Sequence, residues 1–176
     1  ILDGMTRLIA PILAFTSDEI WHAMRHGSDA DAESVLFNDM PGDNAAFALA
    51  GADQERWEKL VSLRDAVNKA LENARTAGVF KKAQDTEVTL SVSEQDAAFL
   101  AGEELATLCI VSSVIVTTGS LEGERADECR IPCTIAVRLS DAPKCPRCWN
   151  HNEHVGGDPE HPDLCPRCAG VVRGQG

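Results

Sequence analysis

The chain has no tyrosine, and its whole aromatic complement in 176 residues is five Phe and three Trp. No apolar run approaches the roughly 18 residues of a membrane span, and no basic segment followed by an apolar stretch marks a secretory signal. No membrane partner is therefore expected, and the reading is a cytoplasmic one. Basic charge is also scarce. Sixteen Lys+Arg stand against 28 Asp+Glu, a formal net charge of -12. That balance argues against a generally basic nucleic-acid coat protein or a binder of anionic membranes, while leaving room for local basic faces. The sequence has no GxxxxGK(S/T) loop, no GxGxxG, no HExxH and no GxSxG. Its many carboxylates form no recognisable acid–base pair, which predicts a segment with no chemistry of its own.

What is present is ordinary in bulk. At 44% hydrophobic and 25% charged, the composition is that of a soluble globular protein. The length allows one ordinary domain or two to three small ones. The first residue is Ile1, inside an apolar pattern, so the chain reads as part of a larger protein. Its seven cysteines are odd in number, which argues against an extracellular disulfide framework and for reduced thiols with a metal site.

Met5, Leu8, Ile9, Ile12 and Leu13 have helical spacing, interrupted by Pro11. A second helix is expected from Thr16, with Thr16 and Glu19 as a capping box and Phe15 stapling against Ile20, stopping near Gly27. An acidic loop from Ser28 to Asp53 would hold a short extended piece, Val35-Leu36-Phe37. A long helix is predicted over about Asp53–Ala77, closed by Gly78. Trp57, Leu60, Leu63, Val67, Leu71 and Ala74 form its apolar stripe. Residues 51–84 carry seven basic and five acidic side chains, the one clearly basic stretch, net +2.

The period then changes. Val88, Leu90 and Val92 alternate as a strand, and Ser93 with Asp96 caps a helix to about Thr107. Cys109–Thr117 reads as a buried β-branched strand, and an acidic loop (Gly119 to Glu128) leads to a third strand from Ile131 to Leu139. Three basic and eleven acidic residues in 85–143 make this small α+β unit a spacer or docking domain that repels phosphate. The expected architecture is thus mixed. It comprises a helical region (1–50), a long basic helix and turn (51–84), the α+β unit (85–143) and a C-terminal zinc module (144–176).

Cys145-Pro-Arg-Cys148 and Cys165-Pro-Arg-Cys168 are separated by sixteen residues, the spacing of a four-cysteine zinc site. Each CxxC turn sets two thiolates on one side of a tight loop, and two knuckles complete a tetrahedron around one structural Zn²⁺. A 33-residue tail is too small to bury a core of its own, and metal binding can replace that core. His151, His154 and His161 between the knuckles could substitute as ligands, but four cysteines make that unnecessary. Redox chemistry would call for one CxxC in a thioredoxin-like fold. His22 and His26 lie four apart and are expected at ordinary surface or cap positions. Trp149 either covers the knuckle and anchors the tail or stacks on a nucleic-acid base. Lys144, Arg147, Arg167 and Arg173 surround it with positive charge.

Several segments together resemble the bacterial-type isoleucyl-tRNA synthetases, class I aminoacyl-tRNA synthetases. Ile9-Ala-Pro-Ile-Leu-Ala-Phe-Thr-Ser-Asp-Glu-Ile-Trp21 is similar to an L-A-P-x-x-P-F-T-x-E-E-I-W segment of their anticodon-binding helices, with Ala14 in place of the usual Pro. Ser34–Pro41 resembles the S-V-H-L-x-D-(W/F)-P loop that follows, and Leu63–Glu72 the V-R-x-E-V-N-K-A-L-E helix. Lys144–Trp149 with Cys165–Cys168 is similar to their terminal zinc module, a knuckle related to one in formamidopyrimidine-type DNA glycosylases. Phe80–Asp85 stands where the family has a G-K-S-L-E-A-like stretch. The resemblance implies the tRNA-reading end of an isoleucine–tRNA ligase, whose ATP-dependent chemistry belongs to a catalytic domain with HIGH and KMSKS motifs that do not occur here. The implied partners are the anticodon arm of isoleucine tRNA and the remainder of the synthetase chain. The implied RNA contacts are Arg64, Lys69, Lys81, Lys82, Lys144, Arg147, Trp149 and Arg167. A zinc-stapled docking module without RNA contact is the other reading, and the basic-plus-aromatic cluster Arg147, Trp149 and Arg167 separates the two.

Overall fold

Pro11 cannot continue a helix that needs its N–H, and the chain turns there. The computed structural model, which describes residues 1–26, 33–43 and 45–174, places helix α1 at Leu2–Ile9 and α2 at Ala14–Ala23. The chain divides into two units, Ile1–Leu49 and Ala50–Gly176.

In the first unit the N-cap of α2 lies three residues earlier than the capping box predicts. Leu13 is its N-cap and accepts from the Ser17 N–H at 2.8 Å, so Thr16 lies within the first turn and Glu19 beyond it. Helix re-entry straight after the Pro11 turn sets this start, with no side-chain cap. Trp21 is buried against Ala10 and Val35. The expected extended piece is a single 3₁₀ turn, Val35–Phe37, because Ser34 caps it: its Oγ accepts from the Leu36 N–H at 3.2 Å. Asp18 holds that turn on α2, taking the Ser34 hydroxyl at 2.6 Å and the Val35 N–H at 3.1 Å. His22 and His26 each meet a backbone carbonyl, Asp18 O and Trp21 O, at 2.7 Å. The helix ends at Ala23, with Met24 extended, short of the expected stop near Gly27, and residues 27–32 and 44 lie outside the described residues.

In the second unit helix α3, Gly51–Thr76, buries Leu60, Leu63, Val67, Ala70 and Leu71, a helical stripe. The expected first member, Trp57, is 41% exposed under the Arg56 guanidinium, 5.6 Å from its ring centre. Gly78 follows at φ +79°. Its N–H donates to Arg75 O and that of Val79 to Ala74 O, both at 3.0 Å, which satisfies the last carbonyls. Phe80 then folds back into the core.

Strand β1 (Thr86–Ser91) is central. Helices α4 (Glu94–Leu100) and α5 (Leu105–Cys109) cross over to parallel strand β2 (Ser113–Thr117). Strand β4 (Cys133–Leu139) pairs antiparallel on the other side of β1, and the short β3 (Glu124–Ala126) forms the far edge, in the order β2-β1-β4-β3. Leu90 opposes Val116 on one side and Ile135 on the other. The sheet and α3 enclose one core.

Three expectations are corrected here. Ser93 caps α4 as read, accepting the Asp96 N–H at 3.1 Å, but the helix breaks after Leu100 instead of running to Thr107. Cys109 and Ile110 are not strand: Cys109 ends α5, and Ile110 is left-handed at φ 57°. The acidic loop contains β3, brought against β4 at Gly123, where a Cβ would lie 2.3 Å from Ile135 O. Burial pushes the Cys109 thiol up to about 11 and Cys133 to about 12, so both remain neutral core side chains. Among the described residues, no helix is long and apolar enough to cross a membrane.

Candidate metal centre and nucleic-acid interface

Pro143–Asn152 forms a tight hairpin: the Cys145 N–H donates to Asn150 O and the Asn152 N–H to Pro143 O, both at 3.0 Å. It carries the first knuckle. The second opens helix α6, Pro166–Arg173, with Cys165 as N-cap and Pro166 in the first turn. Both hairpin and helix start therefore aim their cysteines at one point. The four sulfurs of Cys145, Cys148, Cys165 and Cys168 lie within 4.8 Å of one another. Cys148 Sγ and Cys165 Sγ are 3.8 Å apart, the edge of about 3.8 Å expected of a tetrahedron with Zn–S near 2.3 Å. The quartet thus fits one structural Zn²⁺. A site closed by four sulfurs leaves no open position for a substrate, so the bound ion would cross-link the tail and do no catalysis.

The electrostatics agree. Burial opposes ionisation of Cys145, but backbone N–H groups of Cys148, Cys165 and Arg147 outweigh it and bring the thiol down to about 6. Cys148 is pushed up to about 12, chiefly by burial, and Cys165 is raised for the same reason. The protein's own amides favour the Cys145 thiolate, and a cation would favour those of Cys148 and Cys165. Arg147 Nη1 also points at Cys168 Sγ, at 3.8 Å.

None of the three histidines belongs to this cluster. His151 instead latches the hairpin onto the α+β unit. Its N–H donates to Ser112 Oγ at 2.7 Å, and its ring meets Ala142 O at 2.6 Å and Asp85 Oδ1 at 3.3 Å. Arg173 is ion-paired with Asp158 at 2.7 Å.

The eight RNA-contact candidates separate into two sets. Arg64 is tied to Asp65 at 2.9 Å, and Lys144 is bonded to Asp85. Lys69 lines a cleft together with Asp65, Glu124, Asp127 and Glu128, a poor setting for phosphate. Lys81, Lys82, Arg147 and Arg167 are exposed. Among the described residues none of these four has a carboxylate partner. Trp149 is 59% exposed, and Lys82 Nζ stands 5.9 Å from its ring centre. Trp149 therefore does not cover the knuckle as a buried lid. Sequence reading had no access to the pairing of Lys144 with a carboxylate 59 positions away.

Comparisons with known proteins agree with this geometry. The family described as anticodon-binding domain of tRNA ligase matches residues 1–90. A second family, the zinc finger found in FPG and IleRS, matches residues 143–170. The isoleucine–tRNA ligase of Geobacter sulfurreducens is 35% identical over 176 residues, covering 98% of this chain and 18% of the relative. That of Coxiella burnetii strain RSA 331 is 38% identical over 172 residues, 96% and 18% of the two chains. That of Haemophilus influenzae is 36% identical over 182 residues, 100% and 19%. The chain thus spans under a fifth of the length of these curated relatives. With just over half of its residues matched by the first family, the chain belongs to the anticodon-binding domains of tRNA ligases.

Proposed function

We propose that this chain is the anticodon-arm recognition region of an isoleucine–tRNA ligase, supporting the ATP-dependent attachment of isoleucine to its tRNA without performing the chemistry. The observation that carries this reading is the placement of Lys82, which has no carboxylate partner among the described residues, over the exposed Trp149 of the cysteine-knuckle hairpin, with Lys81 next to it in the chain and Arg147 on the same hairpin. Guanidinium and ammonium groups hold RNA phosphates, and an exposed ring offers a platform for an unstacked loop base. Cys145, Cys148, Cys165 and Cys168 would hold the zinc that keeps the hairpin and α6 together. Arg167, in the first turn of α6, adds a further exposed basic group. Arg64, Lys69 and Lys144 have the weaker claim, since each already has acidic company.

The division of labour we infer assigns 1–50 to the helical anticodon-binding region and 51–84 to the basic helix and turn. Residues 85–143 form the junction and 144–176 the zinc module. Met5, Leu8, Ile12 and Phe15 are exposed on the first unit, an apolar surface suited to the remainder of the synthetase chain.

A filter-binding titration with isoleucine tRNA at two salt concentrations tests the reading. Four phosphate contacts on single-stranded RNA correspond to a log–log salt slope of about -3. Saturable binding with that slope is expected, and the absence of saturable binding at low salt refutes the assignment.

A further inference from the structure

Two non-glycine residues have positive φ among the described residues, Ile110 at 57° and Trp149 at 64°. Left-handed backbone is uncommon for large side chains and an outlier for a β-branched one. Ile110 occupies the position after α5 where a glycine usually ends a helix, with the following Val111 N–H donating to Ala106 O at 3.1 Å. The local turn explains the angle but not the residue. Nor does burial explain it, because Ile110 is 66% exposed and Trp149 is 59% exposed. The chain accepts backbone strain twice, and each time presents a large apolar side chain to solvent.

The two positions flank one dipeptide. Lys82 stands over the Trp149 ring. Lys81, its neighbour, lines with Ile110 a shallow cavity of about 360 Å³ whose other walls include Asn68, Leu71, Phe80 and the mutually paired Glu72 and Arg75. Phe80 is buried and anchors the start of the turn, so both lysines are held where they leave the core. Arg75 is tied to Glu72 at 2.7 Å, whereas among the described residues Lys81 and Lys82 have no carboxylate partner. In a chain of net charge -12, an apolar shelf beside two free lysines is complementary to a ligand that is itself apolar-faced and anionic. An unpaired nucleotide is such a ligand, with a π-face and a phosphate one backbone link apart. A protein surface would match the apolar part alone.

We propose that Ile110 is a second RNA-contacting residue, placed on the α+β unit, against which an unpaired nucleotide packs while Lys81 holds its phosphate. Lys82 and Trp149 do the same for a neighbouring nucleotide. This rests on the anticodon-arm reading and extends the RNA surface beyond the zinc hairpin onto the end of α5. It assigns a positioning task to the turn at Phe80–Asp85.

The test uses the zinc-loaded chain, an isoleucine anticodon stem–loop, and a fully paired hairpin with the same number of phosphates. Ile110→Gly removes the side chain and accepts the left-handed angle. It is expected to raise the melting temperature while weakening stem–loop binding about three- to tenfold, with hairpin binding and salt slope unchanged. A merely structural Ile110 would not give stability and affinity changes of opposite sign. Ile110→Asn, which also tolerates the angle, should weaken binding similarly, because the contact is apolar. If both variants bind the stem–loop like the parent while Trp149→Ala weakens it, the Ile110 proposal is overturned and the anticodon reading stands. If the parent chain binds neither RNA, both fall.

Discussion

Cys165→Ser should unfold the tail locally and leave the rest of the second unit intact. The zinc module buries cysteines 145, 165 and 168 and the small Ala169, and the larger aliphatic residues packed on the cysteine cluster are the partly buried Val155 and Leu164. Even full burial of two such side chains supplies about 1.5–3 kcal/mol each. Ordering more than twenty residues costs at least about 1 kcal/mol apiece. The remaining stabilisation must come from the metal, whose binding in small fingers amounts to about 10–16 kcal/mol apparent. The latch of His151 on Ser112 and of Lys144 on Asp85 adds only about 1 kcal/mol per hydrogen bond. By contrast, Leu60, Leu63, Val67, Val88 and Leu90 are at most 2% exposed and lie in a core that includes none of the four cysteines. Hydrogen exchange followed by mass spectrometry reads the difference. After chelation or in Cys165→Ser, amides of Cys145, Asn152 and Ala169 should exchange freely, while those of α3 and β1 stay protected. Retained protection in the tail, or simultaneous loss in α3, would refute the argument that zinc alone stabilises this segment.

Leu63→Ala removes a fully buried side chain of α3 and should cost about 2–5 kcal/mol in a urea melt. Gly123→Ala drives a Cβ to within 2.3 Å of Ile135 O. It should destabilise by about 1–3 kcal/mol and detach β3 from β4, seen as faster exchange at Glu124–Ala126. Glu103 is held below the usual carboxylate range mainly by its hydrogen bonds to Arg56, at 2.6 and 2.7 Å. A depressed folded pKa gives stability that is complete above the unfolded value, here 4.5, and is lost as pH falls through the folded value. Glu103→Gln should therefore be less stable than the parent at pH 6, and the gap should close on acidification below pH 4. A pH-independent gap would refute the linkage.

The sequence revealed features carried by local repetition and missed those decided by distant partners. The Leu60–Leu63–Val67–Leu71 stripe has a period that only a helix satisfies, and two CxxC turns carry their geometry in their spacing. The start of α2 was misplaced because capping boxes are a side-chain signal, whereas Leu13 begins the helix through its backbone. The run from Cys109 to Thr117 is rich in β-branched residues, yet Cys109 completes a helix and the strand starts at Ser113. Short apolar runs do not distinguish the two states by themselves. Glu124–Ala126 has no strand composition and becomes one only because β4 presents an open edge to it. Of the RNA candidates, composition could rank none. Whether a lysine is free depends on carboxylates such as Asp85, which only the fold brings to Lys144.

That last dependence is how an acidic chain can address an anionic polymer. Most arginines in the second unit already face a carboxylate: Arg56 with Glu103, Arg130 with Glu58, Arg138 with Glu87 and Asp141, and Arg173 with Asp158. Where such a pair is exposed, as Arg130–Glu58 is, it adds little stability, about 0–1 kcal/mol. Such pairs do cancel the local attraction for phosphate, and the surplus carboxylates repel it. The uncancelled basic groups at the 80–85 turn and on both knuckles then form a local field that acts within a Debye length, roughly 8 Å at physiological salt. On the function proposed above, these groups would set where an RNA backbone docks, and the acidic surfaces around them would keep nonspecific RNA away.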